Sequence, residues 1–220
     1  APSPIDGTET MAQAMGAHPA TFSDVEVADD DTAVILYTSG TTGQPKGAEL
    51  THANMRSNAL TCAEMFQVDV DAPDSALCVL PLFHSFGQTV VQNMTFATEG
   101  TVVMLPRFEA EPALKLFEKE QITLFAGVPT MFWGLLGALD DAGVDVRAIA
   151  DRLRVAISGG AALPVEVHKE FERRMGVVIL EGYGLSETSP VASFSVVGEP
   201  VRVGSIGPAI PGVEMKLIDP

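Results

Sequence analysis

RVAISGGAALPVEVHKEFERRM, residues 154–175, holds an apolar run, a turn of small residues and an amphipathic segment, in that order. The run at 154–158 has no helical period, which is typical of a strand buried on both faces. The glycines permit a tight turn, and Pro164 stands where the first turn of a helix tolerates proline. The stretch predicts a strand, a loop and a helix in succession.

The same succession recurs along most of the chain. Apolar runs without a helical period predict strands at 33–37, 76–80, 101–105, 123–126, 154–158 and 177–181. Amphipathic segments predict helices at 53–66, 87–98, 112–121, 129–139 and 164–175. Repeated βαβ units predict an α/β fold with a mainly parallel sheet flanked by helices. In such sheets, ligands bind beyond the carboxyl ends of the strands, so the loops there are the informative ones.

Changes in composition and residue pattern divide the chain into four segments. Residues 1–30 are rich in Ala, Pro, Thr and acids and predict a tail or linker, with a helical turn at 11–17. Residues 31–67 are interpreted as part of a first α/β subdomain, and 68–193 as a second. In residues 194–220, β-branched alternation with closely spaced Gly and Pro predicts short antiparallel strands that begin a β-barrel subdomain.

Composition disfavours several classes of protein. The chain has 220 residues, of which 46% are hydrophobic and 19% charged, so it can bury a core and is not disordered by composition. A net charge of −16 disfavours binding to nucleic acid or to anionic lipid. Cys62 and Cys78 match no metal or redox spacing, which predicts reduced core thiols in a cytoplasmic protein.

Three segments were considered as possible targeting or membrane-spanning segments, and none is interpreted as one. The first ten residues lack the basic and apolar regions of a signal peptide. Residues 75–98 and 121–139 contain no Asp, Glu, Lys or Arg and are long enough to span a bilayer. Both contain prolines, and both are interpreted as a buried strand followed by a packed helix.

The loop after the first predicted strand, YTSGTTGQPKG at 37–47, is suited to a polyphosphate. Glycines let backbone N–H groups line a concavity, hydroxyls add donors, and Lys46 adds a positive charge. The Walker pattern G-x-x-x-x-G-K-[ST] does not fit, because Pro45 precedes the lysine and Gly47 follows it. A flexible surface turn is the structural alternative.

A second candidate loop is EGYGLSET, residues 181–188. Tyr183 between two glycines offers an open aromatic face suited to stacking on a base. Ser186 can donate a hydrogen bond to a phosphate. Glu187 is an oxygen ligand of the kind that Mg²⁺ prefers. Taken alone, this string is weak support for a nucleotide site.

Two further loops carry chemistry only in combination with the others. In PLFHSFG, residues 81–87, a lone His84 after a strand is usually a structural hydrogen-bonding residue. In SGGAALP, residues 158–164, the glycines and proline are explained equally well by the turn that they form.

Together, the four loops resemble the motifs of the adenylate-forming (AMP-binding) superfamily, in that superfamily's order. That group contains acyl-CoA synthetases, peptide-synthetase adenylation domains and beetle luciferases. Its phosphate loop, [ST]-[ST]-G-[ST]-T-G-x-P-K-G followed by Thr-His, is similar to TSGTTGQPKG followed by Thr51-His52. VGSIGPAIPGVEMKLID, ending at Asp219, resembles the beginning of the family's β-barrel. The strings EGYGLSETSPV and GVPTMFWGLL are most similar to bacterial fatty-acyl-CoA synthetases.

The resemblance implies a two-step reaction. A carboxylate attacks the α-phosphate of ATP to give an acyl-adenylate and pyrophosphate, and the CoA thiolate then displaces AMP. It implies Mg²⁺ on Glu187 and, as substrate, a small-molecule carboxylic acid, which the similarity to fatty-acyl-CoA synthetases predicts to be a fatty acid. The implied catalytic residues are Lys46, His84, Ser186 and Glu187. The implied nucleotide-binding residues are Thr38, Ser39, Gly40, Thr41, Thr42, Gly43, Lys46, Gly160, Ala161, Glu181, Gly182, Tyr183, Gly184 and Ser186.

The resemblance also implies that this chain is an excerpt. The family's Tyr-x-[ST]-G-Asp segment, its mobile C-terminal domain with a catalytic lysine and more than a hundred N-terminal residues have no counterpart in the sequence. We therefore expect the isolated chain to be inactive. We also expect strand 33–37, without its usual partners, to hold the phosphate loop less firmly than the sheet spanning 76–181.

Alternatives to an acyl-CoA synthetase stay open at this point. Amino-acid-activating relatives commonly have Phe-Asp where this chain has Phe83-His84, which favours an acid without an α-amino group. A non-catalytic ATP-binding module is a second alternative. The sequence leaves homo-oligomerisation and membrane association open.

Overall fold

The computed structural model describes residues 7–39 and 43–218. In chain order the strands are β1 (Thr32–Thr38), β2 (Lys46–Thr51), β3 (Ser75–Cys78), β4 (Thr101–Met104), β5 (Leu124–Gly127), β6 (Val155–Ser158), β7 (Ile179–Gly184) and β8 (Val191–Phe194). The helices are α1 (Met11–Ala17), α2 (His52–Met65), α3 (Met94–Ala97), α4 (Ala110–Lys119), α5 (Pro129–Ala138), α6 (Val146–Ala150) and α7 (Val165–Met175). A π-helix spans Phe86–Asn93, and a 3₁₀ turn spans Ser186–Thr188.

Six of the strands form one sheet in the order β4-β3-β5-β6-β7-β8. The pairs from β4 through β7 are parallel, and β8 joins the edge of β7 in the antiparallel direction. The predicted α/β fold with a mainly parallel sheet is therefore confirmed. Because β3, β5, β6 and β7 all run the same way, the loops that follow them emerge at one end of the sheet.

Both faces of the sheet are covered by apolar side chains. Successive strand residues alternate between the two cores, as the period of two requires: in β5, Phe125 faces one core while Leu124 and Ala126 face the other. Helices α4, α5, α6 and α7 contribute to the first core, and α2, α3 and the π-helix to the second. The first core contains a row of edge-to-face rings, Phe117, Phe125, Phe132 and Phe171, with neighbouring centroids 5.2 to 5.3 Å apart.

Strands β1 and β2 form a separate antiparallel hairpin. Thr38 pairs with Lys46 at the open end of the predicted phosphate loop, and Tyr37 pairs with Gly47. One face of the hairpin exposes Ile35 and Tyr37, which are 56% and 76% accessible. A two-stranded sheet with an exposed apolar face is marginal by itself, so the expectation of a loosely held phosphate loop stays a prediction.

The helix predicted at 87–98 begins as a π-helix, Phe86–Asn93, and continues as the short α3. The wider π-helical turn begins two residues after His84 and buries Gly87, Thr89, Val90 and Val91. A Cβ at Gly87 would lie 2.6 Å from the Pro81 carbonyl oxygen, so the chain at this turn comes closer to its neighbours than any other residue would allow. π-Helical turns of this kind are frequent at functional sites.

A charged network joins the amino-terminal ends of three strands of the main sheet. Asp74 precedes β3, Thr123 precedes β5 and Arg154 precedes β6. The Arg154 guanidinium forms a two-pronged ion pair with the buried Asp74 carboxylate, with Nε 3.0 Å from Oδ1, and it also donates to the Phe66 carbonyl. The Thr123 hydroxyl donates to the same carboxylate, at 2.6 Å. The network joins three strand starts and the end of α2.

Three elements and one segment differ from the sequence-based expectations. Strands β2 and β8 and helix α6 were not predicted. Pro164 is the N-cap residue of α7 and does not lie in its first turn. The antiparallel strands expected after 201 do not form within 201–218; the pairing there is an isolated bridge between Ser193 and Ala209.

The segments with membrane-like composition are part of the fold. Residues 75–98 hold β3, the π-helix and α3, and 121–139 hold β5 and α5, as interpreted from the sequence. Among the described residues, none of the helices combines the length and the apolarity that a bilayer crossing needs. Cys62 and Cys78 are free and buried, as predicted.

Candidate functional site

A pocket opens at the carboxyl ends of β6 and β7, where the fold predicts a ligand. It brings together residues from three of the motif loops, PLFHSFG, SGGAALP and EGYGLSET. The residues that line it are His84, Phe86, Ser158, Gly159, Gly160, Gly182, Tyr183, Gly184, Pro190, Val191 and Phe194. Five of the residues proposed from the sequence thus share one cavity.

His84 is exposed at the rim of the pocket, and its ring orientation is fixed. Its Nδ1 atom accepts a hydrogen bond from the backbone N–H of Phe86, at 3.1 Å. A ring nitrogen that accepts carries no proton, so the neutral ring carries its proton on Nε2. The side chain therefore offers one N–H donor to a group in the pocket.

The floor of the pocket is backbone at the end of β7. Gly182 packs so closely on the Phe194 ring that a Cβ there would overlap it, and a Cβ on Gly184 would overlap the Pro190 carbonyl. Side chains are therefore excluded at both positions, which leaves peptide groups open to a ligand. Between them Tyr183 is 45% exposed, so part of its ring surface is accessible to a planar group.

The 3₁₀ turn after β7 carries Ser186 and Glu187. It is closed by Thr188, whose hydroxyl accepts from the Leu185 N–H at 2.9 Å and contacts the Pro190 carbonyl oxygen. Glu187 is exposed and has no hydrogen bond or ion pair within 7–39 and 43–218. The turn therefore presents a hydroxyl and a carboxylate that are not engaged by the described protein.

The hairpin brings the phosphate-loop motif to the same region, because β2 packs beside the 3₁₀ turn. Lys46 begins β2 and is exposed. Thr38 ends β1, and Ser39 and Gly43 are exposed on either side of the tip. The remaining loop residues of the prediction, Gly40, Thr41 and Thr42, lie outside the described residues.

Ala161 and Glu181, also predicted to bind the nucleotide, do not line the pocket. Ala161 is exposed just beyond Gly160. The Glu181 side chain is buried, with Oε1 accepting from the Gly204 N–H at 3.0 Å and lying 3.8 Å from Nδ1 of the buried His168. Glu181 thus connects β7 to the segment that follows β8.

Sequence reasoning did not propose six of the lining residues as site residues, and one of these, Gly159, is the neighbour of the proposed Gly160. Phe86, Pro190, Val191 and Phe194 carry no chemical signal, and only the fold brings them to the cavity. Ser158 is different, because it opens the SGGAALP motif and ends β6. Its hydroxyl is buried without a hydrogen-bond partner in the part of the chain described. The signal in the sequence is its position at the start of that motif, whereas the buried hydroxyl without a partner is a signal that only the fold provides.

Comparison with known proteins agrees with this geometry. The family described as AMP-binding enzyme matches residues 3–220. A long-chain-fatty-acid–CoA ligase of Bacillus subtilis (strain 168) is 38% identical over 189 residues, which cover 86% of this chain and 33% of the relative. A mitochondrial malonate–CoA ligase of Mus musculus is 37% identical, with 86% of this chain and 34% of the relative covered.

Solved structures give the same result. The ATP-bound MatB structure from Rhodopseudomonas palustris superimposes with a TM-score of 0.82 at 33% identity, covering 94% of this chain and 39% of that one. The chain spans about a third of the length of the curated relatives that it matches. The match over residues 3–220, together with three motif loops that meet in one pocket, places this chain in the AMP-binding enzyme family.

Proposed function

We propose that the protein containing this chain activates a carboxylic acid with ATP and transfers the acyl group to CoA. The observation that carries the proposal is the meeting of His84, Gly160 and Tyr183 in one pocket beside a turn with unengaged Ser186 and Glu187. The nucleotide base would stack on Tyr183 against the Gly160–Ala161 wall. The acid's carboxylate would accept from Nε2–H of His84.

The phosphate groups of ATP would lie between the hairpin and the 3₁₀ turn. Lys46, Thr38, Ser39 and Gly43 flank the loop tip there, and they offer a positive charge, hydroxyls and backbone N–H groups. In-line attack at phosphorus needs positioning and charge stabilisation rather than a protein nucleophile. These residues would hold the departing pyrophosphate while Ser186 donates to the α-phosphate.

The described residues fit a magnesium ion that arrives with ATP. They contain no group of three or more His, Cys, Asp and Glu side chains able to hold a metal alone. Mg²⁺ is commonly held by one or two carboxylates together with substrate phosphate oxygens, and the unengaged Glu187 offers such a carboxylate. When bound, the ion would neutralise charge on the reacting phosphates.

A fatty acid is the substrate class that the pocket supports best. Phe86, Pro190, Val191 and Phe194 give the pocket an apolar wall, and none of its described lining residues is Lys or Arg. A second carboxylate, as in malonate, would have no cationic partner there, and burying it unpaired is costly. The similarity to a long-chain-fatty-acid–CoA ligase supports the same class. The buried free thiols support a cytoplasmic location.

The test is ATP–pyrophosphate exchange by the full-length protein, with octanoate, palmitate, 4-coumarate, malonate and phenylalanine offered separately. We expect the fatty acids to give the highest kcat/KM and the first three acids to yield CoA thioesters. A preference for malonate would overturn the fatty-acid assignment and leave adenylation intact. A preference for phenylalanine would favour the amino-acid-activating alternative. No exchange with any acid would overturn the proposed reaction. That the isolated chain is inactive stays a prediction.

A further inference from the structure

Asn58, in the middle of α2, makes a set of hydrogen bonds that no motif accounts for. Its Nδ2 donates to the Val191 carbonyl oxygen at 2.9 Å and to the Thr188 carbonyl oxygen at 3.4 Å. Its Oδ1 accepts from the Val191 N–H at 3.2 Å. One side-chain amide thus pairs with both backbone groups of Val191, as a neighbouring strand would.

Asn58 is buried, although it lies on a helix that is partly exposed. It is 7% accessible, while its helix neighbours Arg56 and Ser57 are exposed. A buried amide is costly unless both its donor and its acceptor are satisfied, and here both are. The contact joins α2, which follows the hairpin, to a segment more than 120 residues away in sequence.

The segment that Asn58 holds is irregular, and its other hydrogen bonds among the described residues stay within the turn that joins β7 to β8. Ser189 adopts a left-handed backbone conformation, with φ of 75°, and Pro190 follows it. Pro190 and Val191 both line the pocket. The Pro190 carbonyl also accepts from the Leu185 N–H, at 3.1 Å, so it closes the turn that carries Ser186 and Glu187. A shift of this segment would move both the pocket wall and that turn.

We propose that Asn58 is a positioning residue for adenylation. Its amide fixes the segment 188–191, and through that segment it sets the position of the pocket wall and of the 3₁₀ turn. The proposal rests on the proposed function, because the turn and wall matter for catalysis only if ATP and the acid bind there. Asn is suited to the task because one compact group both donates and accepts. Leu has a similar size but can do neither, and ionised Asp can only accept.

The test uses the full-length protein with Asn58→Leu and Asn58→Asp, assayed by ATP–pyrophosphate exchange well below the melting temperature of each variant. We expect each to lower kcat at least tenfold at neutral pH. A protonated carboxyl group both donates and accepts, as the amide does. The activity of Asn58→Asp relative to wild type should therefore rise as pH falls, while the same ratio for Asn58→Leu stays flat.

The matched control is Arg154→Leu, which weakens the fold at the opposite end of the sheet without touching the segment. We expect it to lower the melting temperature while kcat stays within threefold of wild type. Asn58→Leu activity within twofold of wild type would overturn the proposal, as would an equal loss of kcat in the Arg154 control. A flat pH ratio for Asn58→Asp would also overturn it.

Hydrogen exchange separates this proposal from the proposed reaction and covers variants that fold poorly. In the wild-type protein the Val191 amide should exchange slowly, and in Asn58→Leu, which removes the acceptor of that N–H, it and the Leu185 amide should exchange at least tenfold faster. Fast exchange at Val191 in the wild type would overturn the proposal. If the wild type catalyses no exchange of pyrophosphate, the proposed reaction fails. Faster amide exchange in Asn58→Leu would then still support the positional role, and unchanged amide exchange in that variant would overturn it.

Discussion

His84 and Phe86 are joined by a hydrogen bond from the Phe86 backbone N–H to the His84 Nδ1 atom, at 3.1 Å. The bond leaves Nε2 as the protonated ring nitrogen, at the rim of a pocket with an apolar wall. A neutral donor in that position suits a carboxylate.

The first prediction concerns this donor. His84→Ala removes it, and hydrogen bonds to charged groups contribute about 1.5–3 kcal/mol, so KM for the acid should rise roughly 10- to 100-fold. His84→Gln keeps an amide N–H at a similar reach and should recover most of the loss. Steady-state pyrophosphate exchange at varied acid concentration checks both. An Ala variant with wild-type KM would show that His84 is structural.

The second prediction contrasts two glycines. Gly184→Ala places a Cβ against the Pro190 carbonyl oxygen, so the strand end must shift. We expect a loss of about 2 kcal/mol or more in unfolding free energy and no tight binding of Mg·ATP. Gly137 lies in α5, and a Cβ there would meet nothing within 4 Å.

Gly137→Ala is therefore the matched control, and it should stabilise the protein by about 0.5–1 kcal/mol, since alanine is the better helix former. Urea unfolding of the full-length protein measures both variants. Equal stability of the two would contradict the close approach seen at Gly184.

The third prediction concerns the ion pair at the amino-terminal ends of β3 and β6. Arg154→Leu leaves the Asp74 carboxylate, with a side chain 4% exposed, without its cationic partner. The expected loss is about 3 kcal/mol in unfolding free energy, because an uncompensated buried charge is costly. Asp74→Asn should lose less, and the double variant should be more stable than the sum of the two losses predicts. Strict additivity in the double-mutant cycle would contradict the pairing.

The fourth prediction is a pH dependence. Burial raises the pKa of the Cys62 thiol to about 12 from the ordinary 9.0. The unfolded thiol ionises above pH 9 while the folded one does not, so unfolding releases a proton and stability falls between pH 9 and 12. For one such group the slope is about 1.4 kcal/mol per pH unit.

Cys62→Ala removes that contribution and should flatten the decline of stability between pH 9 and 11. Some slope should persist, because burial also raises the pKa of Cys78. Urea midpoints of the wild type and the variant across this range decide the matter. An unchanged slope in Cys62→Ala would mean that the thiol ionises freely in the folded state.

The main sheet could be predicted because its strands are apolar on both faces and each is followed by a loop and an amphipathic helix. Strand β2 was missed because KGAELT has few apolar residues; it is a strand because it pairs antiparallel with β1. Helix α6 is five residues long, too short for a helical period to show.

The motif residues of the pocket could be predicted from the sequence, but the apolar residues of its wall could not. His84, Gly160 and Tyr183 stand in motifs, and the rule that ligands bind at carboxyl strand ends brings those motifs together. Phe194 and Val191 reach the same place only because β8 turns back antiparallel beside β7, where Val191 also bonds to a buried amide in a distant helix. The strands expected after 201 were predicted from β-branched residues, whose preference for strands depends on a partner to pair with.

The two ends of the strands in the main sheet have different roles. The ion pair of Asp74 and Arg154 lies at the amino-terminal ends, and the pocket lies at the carboxyl-terminal ends, one strand length away. A substitution that changes the shape of the pocket therefore does not touch the ion pair. Side chains of the pocket can therefore change during evolution while the ion-pair network at the other ends of the strands stays intact.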